Sequence, residues 1–139
     1  MFELKQRIFS YIEEREAEVL QSFFKRFGQH KRIRVLGPHV PEKRVPIVSF
    51  VIEQDGPNGM RILNSTFVIS LLSDLFGIQG RAGCSCAGPY GHYLLGIGAK
   101  TSELYEHLLT EYDEDEGLAK IQGVKPGWAR INLHYTMTD

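Results

Sequence analysis

Residues 44–76, RVPIVSFVIEQDGPNGMRILNSTFVISLLSDLF, change hydrophobic rhythm once, and that change sets the fold class. Arg44 to Glu53 is nearly continuous in β-branched and apolar side chains, the pattern of a strand buried on both faces. Pro46 falls near the strand's start, where a missing N–H matters least. Asp55-Gly56-Pro57-Asn58-Gly59 is dense in turn formers and joins the strand to the next element. Asn64, Ser65 or Thr66 then caps a helix running to Phe76, with Val68, Leu71, Leu72 and Leu75 on one face and Gly77 as its stop.

The same rules extend outward. Residues 3–27 place Leu4, Ile8, Ile12, Val19 and Phe23 near the helical period, with Phe9, Leu20, Phe24 and Phe27 beside them, which predicts a long amphipathic helix. Lys25 and Arg26 suit its negative end, and Gly28 is expected to close it in the left-handed conformation. Ile33 to Leu36 reads as a short strand, and Ile78 to Cys86 as glycine-broken extended chain. A short helix near Tyr90 to Leu95 and another from Ser102 to Tyr112 come next. Trp128 to Met137 (WARINLHYTM) alternates and is rich in strand formers, so it reads as a last strand. A small sheet with helices packed on it is the α+β class, here within a single domain, 1–139. Asp139 comes after that strand without a closing element, which raises the expectation of a piece of a larger protein.

With 42% hydrophobic and 24% charged residues, 139 residues suit one soluble domain. The formal charge of -1, from 16 basic residues scattered among 17 acidic ones, supplies no excess to steer the chain to nucleic acid or anionic lipid. No apolar run approaches the roughly 20 residues of a membrane span, and Glu3, Lys5 and Arg7 interrupt any signal peptide. A cytoplasmic protein is expected. The acidic stretch Asp113 to Glu116 reads as a solvated loop. Cys84 and Cys86 are too close in sequence for an unstrained structural disulfide.

The chemistry concentrates in GRAGCSCAGPYGH, Gly80 to His92, whose glycines suit a loop that must approach something closely. Three readings stand side by side. The cysteines can simply pack, since free cysteine is among the most buried residue types. They can bind metal with His92, although a structural zinc site wants four ligands in paired spacings and there is no second cysteine pair. Or one is a nucleophilic thiolate, beside Arg81 in an accessible loop.

Arg81-x-Gly83-x-x-Cys86-Ala87-x-Pro89 resembles the segment that carries the sulfur-accepting cysteine in cysteine desulfurases and selenocysteine lyases, and Cys86 falls on that cysteine. The Cys-x-Cys also resembles the desulfurase part of molybdenum cofactor sulfurases. RVPIVSFVIE, FVISLLSDLFGIQGRAGCSCAGPYGHYLLGI and KPGWARINLHY run in the order seen in a bacterial branch of class V aminotransferase-like proteins, so the resemblance covers essentially all 139 residues. It implies the C-terminal small domain of a fold-type I pyridoxal-phosphate enzyme, with a mostly antiparallel sheet. Helix 3–27 would lead in from a missing large domain that holds the cofactor, in a parent that is a homodimer.

By that resemblance, Cys86 accepts sulfur from cysteine or a similar amino acid, and Arg130 holds the substrate α-carboxylate. A planar, permanently charged guanidinium suits that partner. Arg81 either supports the Cys86 thiolate and substrate or braces the loop. Cys84 and Ser85 stand where one desulfurase branch has two histidines. Lys25, Lys31, Lys43 and Lys100 lie outside any recognisable cofactor segment, so the isolated chain is expected to be inactive. Two alternatives stay open: a class V transaminase or lyase that does not use Cys86, and a non-catalytic stand-alone binding domain.

Overall fold

The computed structural model describes residues 2–57, 59–84, 86–110, 123 and 125–137. In chain order its elements are α1 (Phe2–Phe27), β1 (Ile33–Val35), a 3-10 turn (Pro41–Lys43), β2 (Ile47–Gly56), β3 (Gly59–Ile62), α2 (Ser65–Phe76), β4 (Arg81–Gly83), α3 (Gly88–Leu95), α4 (Ala99–Thr110) and β5 (Trp128–Asn132). This is an α+β fold with a five-stranded antiparallel sheet and the expected long N-terminal helix. The chain divides into two compact units, residues 1–61 with 130–139, and residues 62–129.

In the first unit β1 and β2 pair antiparallel in the register Ile33↔Ile52, Arg34↔Val51 and Val35↔Phe50. Across that pair Arg34 Nε donates to Glu53 Oε1 at 2.6 Å. Val48 and Phe50 are buried on one face of β2 and Val51 on the other, so its middle has the two-sided burial its composition predicts. Leu20, Val35 and Leu36 complete this core. The N-terminal half of α1 instead leaves Leu4, Ile8, Phe9 and Tyr11 exposed. Arg15 of α1 donates to the Met137 carbonyl at 3.0 Å.

Several boundaries differ from the sequence reading. β2 begins at Ile47 rather than Arg44, because Arg44 is spent on the preceding bend. Its guanidinium donates to the carbonyls of Pro38 and Ile47, both at 2.8 Å, and lies 5.2 Å from the centre of the Phe24 ring. Burial holds that guanidinium below the ordinary arginine value. The connection after β2 is a hairpin, since β3 pairs with β2. Gly28 does not take the left-handed conformation expected of it. Its N–H bonds to the Phe24 carbonyl at 2.8 Å, and a Cβ there would stand 2.6 Å from the same oxygen, so crowding is what calls for glycine. The last strand ends at Asn132 rather than Met137. There Thr136 and His134 Nδ1 share a hydrogen bond of 2.8 Å, and the Met137 N–H reaches the His134 carbonyl, turning the chain out of the ladder.

In the second unit α2 has the predicted ends. Asn64 Oδ1 accepts from the Phe67 N–H at 3.1 Å, and Gly77 closes the helix at φ 66. Of the apolar face assigned to α2 only Val68 is buried, while Leu71 and Leu75 are exposed. α2 packs on β4. α3 and α4 begin two and three residues before their predicted starts at Tyr90 and Ser102. The predicted end of α4 at Tyr112 and the acidic stretch 113–116 lie outside the described residues.

Candidate functional site

The loop between β4 and α3 is built by local backbone geometry. Gly83 ends β4 at φ 109, and the Ala87 N–H reaches back to the Cys84 carbonyl at 3.0 Å, which closes a tight turn ahead of α3. Cys86 sits in that turn at φ 58, the one non-glycine residue with positive φ among those described. A β-carbon in this left-handed region crowds the following carbonyl, a cost of roughly 1–2 kcal/mol. Ala87 is then the N-cap of α3, and Pro89 occupies the first turn, where the N–H that it lacks has no helical acceptor. Cys86 therefore stands just before the end of α3 whose unpaired N–H groups favour negative charge.

The two thiols are free and have different surroundings. Cys86 is exposed. Cys84 is half-buried and lines a largely apolar cavity of about 380 Å³, together with Gly91, His92, Leu95, Tyr105 and Trp128; Cys86 is not in its wall. Sequence reasoning considers His92 only as a metal ligand and misses this cavity, because its walls come from the β4–α3 loop, α3, α4 and β5, far apart in the chain.

Arg81 opens β4 in the same unit as Cys86 and is exposed. Arg130 is half-buried in the part of β5 that belongs to the first unit, and among the described residues its guanidinium has no hydrogen-bond or ion-pair partner. No group of three or more His, Cys, Asp or Glu side chains among the described residues is placed to hold a metal ion, so Cys84, Cys86 and His92 are not gathered as ligands.

The described lysines, Lys5, Lys25, Lys31, Lys43, Lys100 and Lys125, are all exposed. An imine to pyridoxal phosphate needs a lysine in a shielded pocket, so these residues do not fit that cofactor. No helix among the described residues is long and apolar enough to cross a membrane.

No protein-family model matches the chain, and no curated protein or solved structure is significantly similar to it.

Proposed function

We propose that this chain is the small domain of a cytoplasmic, homodimeric sulfur transferase of the cysteine desulfurase type, in which Cys86 accepts sulfur and Arg130 binds the substrate carboxylate. The pyridoxal phosphate that such a reaction uses is assigned to a separate large domain, since no described lysine here fits it. The observation that carries the reading is the conformation of Cys86: an exposed thiol held at φ 58. Left-handed backbone at a residue other than Gly or Asn is costly enough to point to a use for that side chain. A cysteine chosen only for packing would be buried and unstrained.

In the overall conversion the substrate cysteine and the Cys86 thiol become alanine and a persulfide on Cys86. Cys86 comes one residue before the N-cap of α3, and a helix N-terminus favours negative charge of the kind a persulfide anion carries. The guanidinium of Arg130, without a partner among the described residues, is suited to a carboxylate by its planar donor fork. Arg81, exposed at the start of β4, is the second candidate for substrate contact.

The test is product analysis on the chain joined to its cofactor-binding part and supplied with cysteine. The expected products are alanine and a reducible extra sulfur mapped by mass spectrometry to Cys86, absent from Cys86→Ser. Amino transfer to a keto acid with Cys86 left unmodified would replace this reading with a transaminase.

A further inference from the structure

Charge reverses toward the end of α1. Glu13, Glu14, Glu16 and Glu18 precede a stretch, residues 19–41, that has no acidic residue and carries Lys25, Arg26, Lys31, Arg32 and Arg34. Lys25, Arg26, Lys31 and Arg32 border one open hollow of about 800 Å³ together with His30 and Phe24, and no acidic residue borders it. The hollow lies within the first unit and is bordered by neither Cys86 nor Arg130, so a ligand there is independent of the sulfur-transfer reading.

A helix C-terminus attracts cations, and Lys25 and Arg26 alone would need no other account. Lys31 and Arg32 lie past the turn. The Phe24 and Phe27 carbonyls at the helix end already accept the N–H groups of Gly28, at 2.8 Å, and His30, at 3.1 Å. Among the described residues none of the four cations has an ion-pair partner. Glu53, whose N–H bonds the Arg32 carbonyl at 2.8 Å, gives its carboxylate to Arg34 Nε instead. The Arg32 N–H donates to His30 Nδ1 at 3.2 Å, which puts the proton of the neutral ring on Nε2 as a further donor.

All four cationic side chains are exposed. A head group cannot lie further from the hollow than the length of its own side chain, which is less than the screening distance of about 8 Å at physiological salt. The charges therefore add in the hollow whichever rotamers they take. Like charges gathered without a counter-charge repel one another, and a bound anion removes that cost.

We infer that this hollow binds a small polyanion of the di- or triphosphate class. Phosphate oxygens suit both the guanidinium fork and the lysine point charge. The acid-free stretch ends between Glu18 and Glu42, and the chain as a whole has a formal charge of -1. The basic surface is thus local, which favours a compact ligand over a nucleic acid strand that would be held along its backbone.

The test titrates sodium triphosphate and inorganic phosphate into the full chain at equal ionic strength and follows amide NMR shifts. Saturable shifts over residues 24–32 are expected, with triphosphate bound about tenfold more tightly than phosphate, because each added charge meets the same cations. Lys31→Gln combined with Arg32→Gln, both exposed positions, should weaken triphosphate about tenfold. Lys5→Gln combined with Arg7→Gln, equally exposed in the first turns of α1, should leave its affinity unchanged. Adenosine triphosphate distinguishes a nucleotide from a free phosphate chain: tighter binding than triphosphate assigns the nucleotide, equal binding assigns the phosphates alone, and either upholds the site. No saturation by triphosphate, equal affinities for triphosphate and phosphate, or equal losses in the two double variants would overturn the inference. An oligonucleotide that shifts the same residues when triphosphate does not would overturn it too. The titration of the unmodified chain decides the matter even where a variant fails to fold.

Discussion

Gly127 approaches Gly83 so closely that a Cβ on Gly127 would stand 2.7 Å from the Gly83 Cα and 2.8 Å from its carbonyl carbon. The contact joins the entry to β5 with the end of β4, immediately before the cysteine loop. Both of those Gly83 atoms are backbone, which cannot swing aside as a side-chain tip can. Gly127→Ala is therefore expected to destabilise the fold by about 1–3 kcal/mol, the usual cost of forced overpacking. Gly98→Ala is the control: a Cβ there meets nothing within 4 Å, and its φ is not in the positive range. Thermal unfolding of both variants checks this; equal melting temperatures would remove the close contact as the reason for glycine at 127.

Arg44 tests a different kind of packing. It bonds two carbonyls and covers Phe24, yet its Nε is buried without a partner, and burial works against its charge. The desolvation cost offsets part of the gain, so the net contribution is smaller than its contacts alone would suggest. Arg44→Met keeps much of the stem against Phe24 and is expected to lose about 1 kcal/mol, whereas Arg44→Ala loses both parts and about 2 kcal/mol. Urea unfolding measures the two. Equal losses would mean that the stem contributes nothing and the hydrogen bonds everything.

What can be read from the chain alone divides along the range of the interactions. The long helix α1 and the Asn64 and Gly77 ends of α2 come from spacing and capping chemistry within a few residues. The β3 strand is hidden in the sequence because Gly59 to Ile62 is extended only through pairing with β2, and all four residues are exposed. Arg44 reads as strand sequence because its carbonyl partners and Phe24 are brought to it by a bend that no local pattern announces. Cys86 is found by motif, but its left-handed backbone and the separate setting of Cys84 depend on the folded chain.

The cap of α2 offers a sharper measurement than its length. Asn64 Oδ1 satisfies one of the first-turn N–H groups, that of Phe67. Asn64→Ala should cost about 0.5–2 kcal/mol, and Asn64→Asp should recover most of it, because aspartate caps as well and adds favourable charge at the helix N-terminus. Chemical denaturation distinguishes these. A loss in Asn64→Asp equal to that in Asn64→Ala would show that the amide, not the capping oxygen, is what matters at this position.

The contrast between the two thiols makes the final prediction, and its steps can be separated. Cys86 is exposed and Cys84 half-buried, so a limiting amount of iodoacetamide should modify Cys86 first, as read by peptide mass spectrometry. Because the backbone at 86 is left-handed, Cys86→Gly should be more stable than Cys86→Ala by about 1 kcal/mol: both lose the thiol, but only glycine is free of the Cβ clash. This stability difference concerns conformation alone and is independent of chemistry. Glutathione persulfide then tests the chemistry, giving glutathione and an enzyme persulfide that cyanide releases as thiocyanate. The labile sulfur should reside on Cys86 and remain there in Cys84→Ser. Sulfur found on Cys84 alone, with the glycine variant still the more stable, would uphold the geometry of the turn and move the acceptor role away from Cys86.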